Sequence, residues 1–171
     1  RRAAGQCLRL MVLHLIRHPQ PLVAPGICYG QLDIPAENAG AVAASLRPVL
    51  PAGLPVWSSP LKRCRELAVQ LSEQAATDER LAEMNFGSWE GRPWDEIPRV
   101  ELDAWANDVG AYAPPGGESP RAVQQRALDF VAGLEVPEAI IVTHAGVIRV
   151  LVAHWRNEPP AEWPQLVFAY G

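Results

Sequence analysis

The chain has 171 residues, 49% of them hydrophobic and 20% charged, with a net charge of −4, so it is long enough to bury one proper core and has the apolar fraction of a globular protein. Lysine and arginine form no basic stripe, which argues against nucleic acid as a partner. Cys7, Cys28 and Cys64 are odd in number and widely spaced; they fit neither a disulfide framework nor a Cys-x-x-Cys metal knuckle, and they favour a reduced, cytoplasmic compartment.

Arg1-Arg2 ahead of the apolar run Leu8 to Ile16 imitates a secretory or twin-arginine signal. Arg9 and His14 interrupt that run, however, and Arg17-His18-Pro19 stands where a cleavage site would be. No stretch is long enough to span a membrane, so no membrane partner is expected. Met11 to Ile16 reads as a buried strand. A loop rich in proline and glycine follows, Pro19 to Pro35, and a loop that long inside a compact domain is usually functional. Ala39 to Arg47 is an alanine-rich helix stopped by Pro48 and Pro51. Val56-Trp57-Ser58 is a second short strand. Ser59-Pro60 then opens a helix to about Glu73, with serine as the cap.

Residues 83–117 are irregular and rich in tryptophan, proline and glycine, and suggest a lid or side excursion with a short helix near Glu96 to Trp105. Ser119-Pro120 starts the next helix, whose buried face carries Val123, Ala127, Phe130, Val131 and Leu134 at helical spacing. Ala139 to Val142 is a further buried strand. Gly146 leads a helix with Val147, Val150, Leu151, His154 and Trp155 on one face. Gln165 to Tyr170 looks like a final strand. With no internal repeat and no linker, residues 1–171 read as one domain. The alternation of strand and helix is that of an α/β sandwich.

Two apolar runs stop at a histidine: Leu15-Ile16-Arg17-His18 and Val142-Thr143-His144. Residues just past the carboxyl ends of parallel strands gather in one crevice, where open α/β sheets bind ligands. Arg63, in the first turn after Ser59-Pro60, can lean over the same edge. Gly146 places a helix N-terminus beside His144, where free N–H groups favour an anion. Two imidazoles, two guanidinium groups and a helix N-terminus suit a phosphoryl group, with arginine for the oxygens and histidine for attack. One acid is needed to protonate a leaving oxygen. Glu83 is the first choice, with Asp78, Glu79 and Glu90 in competition. Taken singly, each histidine could be a hydrogen-bonded structural residue, as His14 in mid-strand and His154 on a buried helix face are expected to be. Lys62, Arg63 and Arg65 could form a solvated helix face, and the tryptophans could be core.

These segments, in this order, resemble the histidine phosphatase (phosphoglycerate mutase-like) superfamily. Leu15 to Pro19 is similar to its Arg-His-Gly motif, and Ser58 to Cys64 to its second arginine motif. Glu83 to Gly91 is similar to the segment that begins with the proton donor. Pro115-Gly116-Gly117-Glu118-Ser119 and Thr143 to Arg149 resemble two further blocks. The resemblance implies that His18 becomes phosphohistidine, that Arg17, Arg63 and His144 hold the phosphoryl oxygens, and that Glu83 acts as acid and then base. Gly30, Gln31 and Ala145 approach the substrate. The fold implied is a three-layer α/β/α sandwich with a mostly parallel central sheet, and no cofactor and no metal are implied. Pro19 departs from the usual glycine and removes a backbone N–H; the usual loop asparagine has no counterpart in Gln20 to Ala24.

Cys28 to Pro35, together with the stretch from Asp95 to Gly117, is most similar to the alpha-ribazole phosphatases of cobalamin assembly. The implied function is a metal-independent phosphomonoesterase acting on a small phosphorylated metabolite, and a homodimer is compatible with it. A phosphatase or mutase of another metabolite is the alternative. A catalytically silent phosphate-binding protein is a third reading, motivated by Pro19 and the missing asparagine.

Overall fold

The computed structural model describes residues 10–171; Arg1-Arg2 and Cys7 lie outside the described residues. Strand β1, Val12–Arg17, pairs in parallel with β4, Glu138–Thr143, so that Arg17 stands opposite Thr143. β4 pairs on its other side with β2, Val56–Ser58, and β2 with the short β3, Ala76–Thr77. The order β1-β4-β2-β3 puts β4 near the middle of an all-parallel sheet. That is why Ala139 to Val142 reads as a continuous apolar run: it is covered on both faces.

The faces follow the two-residue period of a strand. Ile140 and Val142 of β4 join Ile16, Val56, Cys64, Leu67 and Ala68 in a core beneath α1, Ala39–Leu46, and α2, Lys62–Leu71. Ile141 turns the other way, to Leu81 and Phe130. On that side α4, Pro120–Ala132, packs on α5, Ala145–Arg156, through Val123, Ala127, Val147, Val150 and Leu151. The result is the expected three-layer α/β/α sandwich. Ser119 caps α4 as expected, its side chain accepting from the Ala122 N–H.

Five expectations are corrected. Met11 to Ile16 is not a buried strand: β1 lies at the edge of the described sheet, and of its residues only Ile16 is buried, with Val12 exposed. Ser59 is not the cap of α2, which begins at Lys62. The Ser59 N–H bonds Val142 O at 3.0 Å and so prolongs the strand pairing, while Asp33 of the long loop accepts from the Lys62 N–H at 2.7 Å. The short helix of the excursion lies later than expected, as α3, Arg99–Asn107. His154 and Trp155 are exposed, because the last turn of α5 runs out into solvent beyond Leu151 and Ala153. Gln165 to Tyr170 forms no strand. Pro160–Gln165 is a 3₁₀ turn held by the buried Trp163, and two carbonyls beyond it go to arginine side chains: Leu166 O to Arg149 and Phe168 O to Arg17. A carbonyl bound to a side chain in that way is not paired in a ladder.

The tryptophan-rich excursion is a small core of its own. Cys28, Trp89 and Ile97 are buried there beneath Phe86, Trp94, Leu102, Trp105 and Tyr112. Trp94 and Trp105 stack at 6.0 Å, and the Trp89 indole N–H donates to Glu101 at 2.5 Å.

Candidate active site

β1 and β4 deliver their histidines side by side. Each strand ends one residue before a histidine, and the His18 N–H continues the pairing by bonding Thr143 O at 3.0 Å. The two rings lie 5.1 Å apart between centroids, both almost wholly buried. The parallel register therefore builds the pair.

His18 Nδ1 lies 2.7 Å from Pro19 O. A carbonyl only accepts, so the neutral ring carries its proton on Nδ1 and presents the Nε2 lone pair. Pro19 lacks an N–H, but this contact needs only its carbonyl. Free imidazole, near pKa 6.5, would be partly charged around neutral pH and poor at attack. Here burial pushes His18 down to about 3; the guanidinium groups of Arg63 and Arg17 push the same way, and the Pro19 hydrogen bond opposes them. Burial also holds His144 well below the usual histidine range, with Arg63 and His18 adding to it.

His144 is the residue before α5, and its Nε2 lies 2.8 Å from Ser59 Oγ and 3.3 Å from Cys64 Sγ. Sequence reasoning treated Ser59 only as a cap. Its position one residue past the end of β2, level with the histidines, was the available signal. Arg63 is fully buried, and its terminal nitrogens bind Gly30 O at 2.5 Å and Leu32 O at 2.8 Å. The Tyr29 ring lies 5.1 Å from it. Arg17 donates to Phe168 O at 2.7 Å and lies 3.7 Å over the Tyr170 ring. Tyr170 also comes within 5.7 Å of His18, a neighbour that reading 165–170 as a strand did not reveal. In both arginines the buried Nε has no hydrogen-bond partner among the described residues.

Glu83 reaches the same edge from the other side. Its Oε2 accepts from the Gly146 N–H at 3.3 Å, in the first turn of α5. Two clamps hold its backbone: Gln31 Nε2 and Arg126 Nη2 donate to Glu83 O at 2.9 and 3.1 Å. Arg126 is itself paired with Glu118 at 2.7 Å, and Glu118 accepts from the Asn85 N–H. Gly117 lies so near Asn85 O that a β-carbon there would overlap it, which accounts for a glycine in the Pro115 to Ser119 block. Of the competing acids, Glu79 is exposed and Asp78 is bound to Arg80 at 2.7 Å. Glu90 Oε1 accepts from the Gln31 and Phe86 N–H groups, much as Glu83 Oε1 accepts from the Met84 N–H, but Glu90 does not border the cavity that Glu83 lines. Ala145 borders that cavity beside Glu83. Gly30 and Gln31 meet Arg63 and the Glu83 backbone, so both help to shape the site.

The edge thus gathers a neutral, buried imidazole with a free Nε2, a second imidazole, two guanidinium groups with unpartnered N–H donors, and a carboxylate at a helix start. That set can attack, hold and protonate a phosphoryl ester without further groups.

Comparison with known proteins agrees. Residues 13–171 match the model of the histidine phosphatase superfamily, branch 1. The chain is 34% identical over 115 residues to the fructose-2,6-bisphosphatase of Saccharomyces cerevisiae, which covers 65% of this chain and 25% of that protein. It is 31% identical over 102 residues to the adenosylcobalamin/alpha-ribazole phosphatase of Escherichia coli, covering 56% of this chain and 47% of that protein. The chain therefore spans about a quarter and about half of these two relatives. The solved structure of Bacillus stearothermophilus YhfR superposes with a TM-score of 0.79 at 29% identity, over 93% of this chain and 86% of that one. With a phosphoglycerate mutase-like sheet and a match over nearly all its length, the chain belongs to the histidine phosphatase superfamily, whose members are phosphatases or mutases.

Proposed function

We propose that the protein is a phosphomonoesterase that works through a phosphohistidine at His18. The observation that carries this is the buried His18–His144 pair, 5.1 Å apart, flanked by arginines whose Nε donors lack a partner among the described residues. Buried donors are seldom left unpaired, and phosphoryl oxygens would supply the acceptors. In the first step His18 Nε2 forms a bond to phosphorus, the ester P–O bond breaks, and Glu83 gives its proton to the leaving oxygen. In the second, water attacks the phosphohistidine, Glu83 takes the water's proton, and phosphate leaves with His18 neutral again. Arg17, Arg63 and His144 carry the charge of the moving phosphoryl group, the largest contribution expected in such a reaction. A neutral His18 removes the need to deprotonate the nucleophile first.

For the substrate we favour alpha-ribazole 5′-phosphate or a related cobalamin precursor. The support is the similarity of Cys28 to Pro35 and of the stretch from Asp95 to Gly117 to alpha-ribazole phosphatases. The E. coli relative points the same way. The yeast relative favours a second reading, a sugar phosphate.

The test has two parts. Brief exposure to 32P-labelled substrate, followed by acid or alkaline quench, should leave label that is acid-labile and base-stable and that is lost in His18→Ala. Label that persists in His18→Ala overturns the assignment. A panel of alpha-ribazole 5′-phosphate, fructose 2,6-bisphosphate, O-phosphoserine and 3-phosphoglycerate, ranked by kcat/KM with product analysis, then separates the substrates and distinguishes hydrolysis from mutase transfer.

A further inference from the structure

A cavity of about 260 Å³ opens beside the Glu83 carboxylate. Glu83, Ala145 and Gly146 border it, whereas His18 does not. Its walls are Phe86, Trp105, Val109, Val150 and Trp163, drawn from the aromatic core, the end of α3, α5 and the 3₁₀ turn. The volume is a little below the ~300 Å³ at which small-molecule pockets usually begin, so it suits part of a ligand rather than a whole one. Its place follows from the proposed chemistry: a phosphorus atom at His18 with its leaving oxygen at Glu83 directs the rest of the ester into this space.

Apart from Glu83, the charged side chain on the cavity is Arg149, one turn into α5. Its Nε is used by Leu166 O at 3.0 Å. Its terminal nitrogens have no hydrogen-bond acceptor among the described residues, and they are not sealed from solvent. Burial lowers the pKa of this guanidinium from its usual range and Glu83 opposes the shift, yet an arginine stays charged in any ordinary condition. A partly desolvated cation beside an apolar wall binds an acceptor more strongly than one in bulk water.

We infer that this cavity is the leaving-group subsite and that Arg149 is a specificity-determining residue in it. The class of substrate selected is a phosphomonoester with a flat, apolar leaving group that bears a hydrogen-bond acceptor. This rests on the phosphatase reading above and narrows it. Small zwitterionic or polyhydroxylated leaving groups gain little from walls of tryptophan, phenylalanine and valine, because they would shed water without replacing its hydrogen bonds. An aromatic nucleoside places its rings against those walls and an acceptor on the guanidinium.

The test compares kcat/KM for phenyl phosphate, 3-carboxyphenyl phosphate, 2-naphthyl phosphate and O-phosphoserine in the full chain. The wild type should favour 3-carboxyphenyl over phenyl phosphate. Arg149→Met should lower that preference about tenfold, the scale of one hydrogen bond to a charged group. Arg149→Lys, which keeps the charge, should retain more of the preference than Arg149→Met. Val109 lies half-exposed in the loop after α3, where a substitution spares the core. Val109→Glu should lower the preference for 2-naphthyl phosphate over O-phosphoserine by about fivefold or more, since a buried apolar contact becomes a charged one. If turnover is normal but Arg149→Met slows phenyl and 3-carboxyphenyl phosphate by the same factor, the subsite assignment fails and the phosphatase reading stands. Equal use of O-phosphoserine and 2-naphthyl phosphate by the wild type has the same consequence. Absence of turnover on every ester overturns both.

Discussion

The carboxylate of Glu83 occupies the space that a side chain at residue 146 would fill. Gly146 donates its N–H to Glu83 Oε2 at 3.3 Å, and a β-carbon on residue 146 would overlap Glu83 Oε1. Glycine at this position is therefore a condition for placing an acid at the start of α5. The overlapping atom is the end of a flexible side chain, so Gly146→Ala should move the carboxylate and leave the fold intact. The expected outcome is a melting temperature within a few degrees of wild type, since alanine suits a helix interior. Hydrolysis of an alkyl phosphate should fall about tenfold or more, a part of the roughly hundredfold or larger contribution ascribed to general acid catalysis. Unchanged alkyl phosphatase activity would show that the position of Glu83 does not matter to the reaction.

Glu83→Gln separates a proton donor from a structural group. Glutamine keeps the shape and can still accept from the Gly146 N–H, but it cannot cycle a proton. A loss of about a hundredfold is expected for an alkyl phosphate. Esters of acidic phenols, which leave without help, should be slowed far less. Equal slowing across leaving groups, accompanied by a lower melting temperature, would assign Glu83 to structure alone.

Both site histidines are buried as neutral rings, and this has a consequence for stability. In the unfolded chain a histidine takes up a proton near pH 6.5, whereas folded His18 does so only at about 3 and His144 well below its usual range. Between these values the unfolded state binds more protons, so stability falls as pH drops through that window and recovers above 6.5. Each such proton contributes a slope of about 1.4 kcal/mol per pH unit. Urea unfolding from pH 7 to 4 should show this slope, and it should be shallower in His18→Asn. In parallel, 15N NMR at pH 5.5 should find His18 as the neutral Nδ1–H tautomer. A His18 titration centred near 6.5 would contradict the burial argument.

Turnover should survive chelation. Arg17, Arg63 and the start of α5 already supply the positive charge that a metal ion would contribute to phosphoryl transfer, with neutral His144 beside them. Dialysis against a chelator should leave kcat and KM for an aryl phosphate unchanged. Activity that is lost on dialysis and restored by one particular divalent ion would show that the arginines are insufficient.

The sequence by itself determined the sheet strands and the residues at their ends. Met11 to Ile16 and Ala139 to Val142 are largely apolar runs too short for helices, each ending two residues before a histidine, and both are parallel strands; that β4 is buried while β1 lies at the edge with Val12 exposed was not legible in them. The Ser119 cap of α4 was legible, because capping is a contact between near neighbours. Tertiary structure alone decided which groups each side chain meets. Ser59 leaves its capping role because the sheet carries it to His144, 85 positions away. Residues 165–170 do not form a strand because Arg149 and Arg17, distant in sequence, claim their carbonyls. Four acids suited the proton-donor role until packing set Glu83 against the first turn of α5 and at the edge of the cavity, kept Glu90 off that cavity, tied Asp78 to Arg80, and left Glu79 in water. The protonation of His18 was likewise illegible in its own motif, since the desolvation that lowers its pKa is produced by every layer packed around it.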